Sequence, residues 1–139
     1  MRPAGFHLLE HPADVGIRAT GADLEAALAQ VVSGLAAVIT DGVGVREVES
    51  RRLHLEADDL DGLVVDLVDE CLYLLDAHGW LAGSATIQLE GSALSGTLRG
   101  EPFDDSRHAD GVHVKAATWH QLAVVREDDG FSITVFLDI

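Results

Sequence analysis

Two acidic residues stand where an alternating strand would not ordinarily place them. His11-Pro12-Ala13-Asp14-Val15-Gly16-Ile17 sets Asp14 at the start of an apolar strand, and Phe131 to Ile139 is a second alternating strand with Asp138 at its penultimate position. If these strands lie near each other in one sheet, Asp14, Asp138 and the α-carboxylate of Ile139 converge. Three anionic groups brought together repel unless a cation or proton neutralises them. Oxygen-only ligation favours Ca²⁺, Mg²⁺ or Mn²⁺ over zinc. Taken on the residues alone, the plainer account stands beside this one: Asp14 hydrogen-bonds a turn and Asp138 is a solvated end residue.

Other reactive side chains give weaker signals. His108, His113 and His120 cluster late in the chain, but in a strand the parity of 113 and 120 puts them on opposite faces, so each reads as a surface or hydrogen-bonded structural histidine. Cys71, the lone cysteine, excludes an intramolecular disulfide and offers no zinc-ligand spacing. It falls on an apolar helical stripe and reads as a small core residue rather than a nucleophile. There is no Gly-Lys-Ser/Thr phosphate cradle, no dinucleotide-binding glycine pattern and no serine-hydrolase elbow.

The elements that must position these residues follow from periodicity. Phe6–Glu10 and Asp14–Thr20 read as short strands, with Pro12 interrupting the first pairing. Asp23 caps a helix running to about Ile39, whose stripe is Leu24, Leu28, Val31, Leu35 and Val38. Alternation is next best at Leu53-His54-Leu55, one strand. Asp58-Asp59 opens a second helix, apolar at Leu60, Leu63, Val64, Leu67, Val68, Cys71, Leu72 and Leu75, ended by Gly79, with an acidic outer face. Ala85–Leu89 and Leu94–Leu98 form a hairpin through Gly91-Ser92. Residues 102–111 read as a polar, mobile loop, residues 112–124 as one long strand, and Asp129-Gly130 turns the chain into the last strand. This order predicts an α+β fold with two amphipathic helices packed on a mainly antiparallel β-sheet, a single domain over 1–139.

Composition narrows the function. A chain of 139 residues with 47% hydrophobic and 24% charged residues folds on its own core. Nine basic against twenty-four acidic residues give a net charge of −15, which repels a phosphate backbone and argues against tight direct RNA binding. A solvated acidic surface, as in a salt-adapted proteome, accounts for the charge; a basic protein partner is the sharper account. The single cysteine, and the lack of a signal-like N-terminus or an apolar run of spanning length, lead to the expectation of a soluble, cytoplasmic protein.

The ordered set His11-Pro12-Ala13-Asp14-Val15-Gly16, Leu24-Glu25-Ala26-Ala27, Asp69-Glu70-Cys71-Leu72-Tyr73-Leu74, Gly100-Glu101-Pro102-Phe103-Asp104, Arg107-His108, Val114 to His120 and Phe136-Leu137-Asp138-Ile139 resembles the archeases, and the resemblance runs nearly end to end. One departure is Pro12, where the family usually has Thr. The resemblance implies a divalent cation held by Asp14, Asp138 and Ile139. It also implies a protein that is not itself an enzyme but assists an RtcB-type RNA ligase, promoting GTP-dependent guanylylation and repeated turnover in tRNA splicing or RNA repair. His108 and Lys115 would be secondary contacts. A chaperone-like role toward a tRNA methyltransferase is also associated with the family. Two other classes compete: a freestanding metal-dependent phosphohydrolase, disfavoured by the shortage of basic residues, and a calcium-stabilised interaction module.

Overall fold

The computed structural model describes residues 3–11 and 14–139, Glu10 and His11 by their backbone alone. In chain order the elements are β1 (Gly5–His11), β2 (Asp14–Gly21), α1 (Leu24–Thr40), β3 (Glu49–Glu56), α2 (Leu60–His78), β4 (Trp80–Glu90), β5 (Ala93–Pro102), a short α3 (Asp105–His108), β6 (Ala116–Glu127) and β7 (Gly130–Asp138). The α+β class and the antiparallel pairing expected from the sequence hold, but the strands divide into two sheets. One has the order β1-β2-β7-β6 and the other β3-β5-β4. The proposed interruption at Pro12 lies outside the described residues; β1 and β2 pair from Gly5↔Thr20 to His11↔Asp14.

Helix ends follow local chemistry. Asp23 accepts the N–H of Ala26 at 2.7 Å and Asp59 accepts that of Gly62 at 2.8 Å, each satisfying an orphan donor of the first turn. Gly79 ends α2 in the left-handed conformation at φ 61°. Asp41 ends α1 in the same region at φ 54°, a conformation that the short polar side chains of Asp and Asn tolerate better than most.

Both helices reach across the sheets. α1 packs on β1, β2 and β7 of the first sheet and on β4 of the second, while α2 packs on β6 of the first and on β3 and β4 of the second. The result is one continuous core in which Ile17, Ile133 and Leu137 meet Leu28, Val31, Leu67, Trp80, Leu94 and Leu98. Burial of these apolar surfaces is what holds the two sheets together.

Two local expectations are corrected. Residues 102–111 are not an irregular polar loop throughout: they contain α3 and the fully buried His108, and follow directly on Glu101, which is 4% exposed. The long strand expected over 112–124 begins only at Ala116 and is irregular. Thr118 pairs with Phe136 and Ala123 with Thr134, so four residues, 119–122, stand opposite Val135 alone. Gln121 takes φ 58° within this bulge, and Thr118 Oγ1 accepts the N–H of His120 at 2.9 Å. Residues 119–121 are pushed out of the ladder into solvent, as bulges do, while Leu122 packs back against the core.

Candidate functional site

The antiparallel register of β2 against β7 places Asp14 directly opposite Asp138, with Val15 opposite Leu137 and Gly16 opposite Phe136. Directly opposed residues project to the same face with Cβ atoms about 4.5–5.5 Å apart. The same row continues on both sides, His11 pairing with Asp14 and Ala116 with Asp138. Thus the end of β1, the start of β2, the end of β7 and the start of β6 meet at one edge of the four-stranded sheet. Asp14 is half-buried, Asp138 exposed and Ile139 follows at 37% exposure. Lys115 is tied to the same row by its backbone, its N–H donating to Asp138 O at 2.8 Å.

Two like charges directly opposite each other destabilise a strand pair unless something neutralises them. Hard carboxylate oxygens suit Ca²⁺, Mg²⁺ or Mn²⁺. Among the described residues no group of three or more His, Cys, Asp or Glu side chains is placed to hold a metal ion. Two carboxylates are fewer oxygen ligands than such an ion takes, so the rest of its shell would have to come from main-chain oxygen and water.

A second cluster, which the sequence reading missed as a unit, lies at the end of β5. Glu101 Oε2 accepts the backbone N–H of Arg46 at 2.6 Å and lies 3.2 Å from His108 Nε2. Its other oxygen is ion-paired with Arg107, which also donates to Asp104 Oδ2 at 3.2 Å. The N–H of Asp104 donates to His108 Nδ1 at 2.9 Å. Because a backbone N–H can only donate, Nδ1 is the acceptor and Nε2 carries the proton toward Glu101. Burial pushes the Glu101 carboxyl upward, but the hydrogen bonds from Arg107 and from the Arg46 backbone, with the charge of Arg107, outweigh it and hold Glu101 below the usual carboxylate range. Hydrogen bonds from the Ser106 side chain and backbone lower Asp104, helped by Arg107. Each member supports the others, and the cluster pins the segment leading to Lys115. Gly100-Glu101 and Arg107-His108 were visible as motifs, but nothing in their spacing announces a buried ion pair.

Cys71 is buried, and burial, with the nearby Glu70, pushes its thiol up to about 12, as expected of an inert core residue. His108 is structural. His113 stands outside any strand and lines, with Ile39, Phe103 and Val114, a cleft of about 390 Å³. His120 is exposed on the β6 bulge. No described helix is long and apolar enough to cross a membrane.

Two helices laid across a four-stranded and a three-stranded antiparallel sheet, with paired carboxylates at one sheet edge, define a small α+β class. The archease protein family matches residues 6–139, and the chain belongs to that family. It is 36% identical over 136 residues to protein archease of Saccharolobus solfataricus, covering 96% of this chain and 98% of that protein. To protein archease of Pyrobaculum calidifontis it is 33% identical over 144 residues, covering 99% and 97%. The solution structure of Methanobacterium thermoautotrophicum protein 1598 superposes with a TM-score of 0.78 at 28% identity, covering 97% of this chain and 99% of that one. An archease of Thermotoga maritima, described as a possible chaperone, shares the fold at a TM-score of 0.66 and 24% identity, covering 94% of each chain.

Proposed function

We propose that this protein is an accessory factor of an RtcB-type RNA ligase, promoting GTP-dependent guanylylation and repeated turnover of that enzyme in tRNA splicing or RNA repair. The observation that carries the reading is the opposition of Asp14 and Asp138 in register across β2 and β7, in a chain of the archease family. The two carboxylates, with a main-chain oxygen of Ile139, would hold a divalent cation, Ca²⁺ first and Mg²⁺ or Mn²⁺ otherwise. When bound, that cation supplies charge able to help position phosphate oxygens. The chain's own part is to fix the two carboxylates on rigid strands, so that little ordering is required when a partner arrives. Lys115, anchored to Asp138 through its backbone, stands where a cationic side chain would reach the same edge. A net charge of −15 supports action on a protein rather than direct, tight capture of RNA.

The test is single- and multiple-turnover guanylylation of a cognate ligase, with and without this protein. Wild type should raise turnover and Asp14→Asn should not, at equal folded fraction. Full stimulation by Asp14→Asn would remove the carboxylate pair from the function. Metal-dependent GTP hydrolysis by the isolated protein, lost in Asp14→Asn, would replace the accessory reading with that of a phosphohydrolase.

A further inference from the structure

Two large aromatic side chains are conspicuously exposed beside the same helix: Trp119 at 60% and Tyr73 at 56%. Their placement is related. A Cβ on Gly62, in the first turn of α2, would lie 3.9 Å from the Trp119 ring, so the indole of the β6 bulge stands over the start of α2. Asp69 Oδ1 accepts the N–H of Ala117 at 3.3 Å, so α2 lies along the outer edge of β6. Gly62, Asp66, Asp69 and Tyr73 recur at intervals of four, three and four, which is one stripe of the helix. That stripe is about 16 Å long at 1.5 Å per residue. Trp119 marks one end and Tyr73 the other, with the Asp66 and Asp69 carboxylates between them.

Solvation explains carboxylates on a helix face, but it does not explain an exposed indole at the head of the row. The bulge that carries Trp119 also has Gln121 at φ 58°, an uncommon backbone state for a residue other than glycine. A straight β6 would keep residues 119–122 in the ladder. The chain instead presents the ring outward, next to negative charge, where an aromatic face attracts a guanidinium doubly: through the ring quadrupole and through the adjacent carboxylates. Phosphate would be repelled by the same carboxylates.

We propose that the Trp119–Asp66–Asp69–Tyr73 strip is a docking surface for an arginine-containing basic segment of a partner protein, with an Arg side chain stacked on Trp119. The strip shares no residue with the Asp14, Asp138 and Ile139 set, although β6 contributes to both: Ala116 pairs with Asp138 and Trp119 follows three positions later.

The probe is a nine-residue peptide of three Arg-Gly-Gly repeats, titrated into the intact protein at low ionic strength and followed by amide chemical shifts. The peptide with Lys in place of each Arg, and a nine-nucleotide oligouridylate, serve as comparisons. Shifts should concentrate at residues 62–73 and 117–122. The Lys peptide should bind more weakly, and Trp119→Ala should weaken the Arg peptide about fivefold. Asp66→Asn with Asp69→Asn should weaken both peptides alike. Asp105→Asn, on α3 and off that helical stripe, should leave binding unchanged, and metal melts of Trp119→Ala should match wild type. Shifts scattered over the acidic surface would overturn the proposal, as would equal binding by Trp119→Ala with an unaltered fold. Preferential binding of oligouridylate would turn the surface into a base-stacking site and overturn it too.

Discussion

Glu101, at the end of β5, accepts the backbone N–H of Arg46 at 2.6 Å across 55 positions of sequence. That hydrogen bond joins the stretch between α1 and β3 to the end of β5, and its acceptor is the same carboxylate that meets Arg107 and His108 of α3. Removing the carboxylate leaves three donors without an acceptor in a mostly water-excluded place.

Glu101→Ala should therefore cost about 3 kcal/mol, in the range found when one partner of a buried pair is removed. Chemical denaturation at neutral pH measures it. Glu101→Gln, which keeps an acceptor but loses the charge, should cost less.

The same carboxylate sets an acid limit. Its folded-state value lies below the ordinary one, so its contribution is complete above the unfolded carboxylate value of about 4.3 and is lost as pH falls through the lower folded value. Wild type should lose stability more steeply than Glu101→Gln below about pH 4, and denaturation midpoints of the two should converge there. Parallel curves would show that Glu101 titrates alike in both states.

At the paired aspartates the effect of a substitution is read through metal. Asp14→Asn keeps the side-chain shape and removes one of the two opposed carboxylates. With Ca²⁺ at a hundred times its dissociation constant, wild type should gain about 2.7 kcal/mol and the variant far less. Melts with and without chelator read both effects.

Gly111 tests how the segment between the two clusters is held. A Cβ there would stand 2.2 Å from Ile39 O and 2.3 Å from Val38 O, and the next residue donates its N–H to Val38 O at 3.3 Å. Gly111→Ala must push this segment off the end of α1, at a cost of about 2 kcal/mol or more. Amide exchange at Val112 and Lys115 should quicken before that of β4 or β5.

Cys71 offers a control. With its thiol pushed up to about 12 and 4% exposed, it should resist a disulfide reagent in the native protein and react only on unfolding.

The parts of the fold legible in the sequence are those governed by neighbours along the chain. Asp23, Asp59 and Gly79 are helix-end residues by their own chemistry, and the stripes of both long helices emerge from spacing alone. The paired aspartates could be suspected because both sit at strand ends, but their opposition depends on the register of β2 with β7, which no local rule sets. Residues 102–111 looked solvated because Asp104, Asp105, Arg107 and Asp110 are polar. The partners that bury Glu101 and His108 include a backbone N–H from another part of the chain, invisible to composition. The β6 bulge was hidden because Trp119 to Leu122 continue a plausible strand composition, and only the register of Phe136 and Thr134 exposes the surplus. The division into two sheets was hidden for the same reason, since it is a statement about which strands pair.

The position of β7 between β2 and β6 has a consequence for the order in which a growing chain can acquire structure. The β3-β5-β4 sheet is complete once residue 102 has been made, and its pairings are available early. The β1-β2 hairpin can pair as soon as it is made, but its union with β6 must wait for β7, the strand that lies between them. Pulse-labelling during refolding should accordingly protect β4 and β5 ahead of the β2–β7 pairing. The carboxylate pair therefore exists only after β7 has been made, and a ribosome-bound or truncated chain lacking β7 has no such pair to offer a partner.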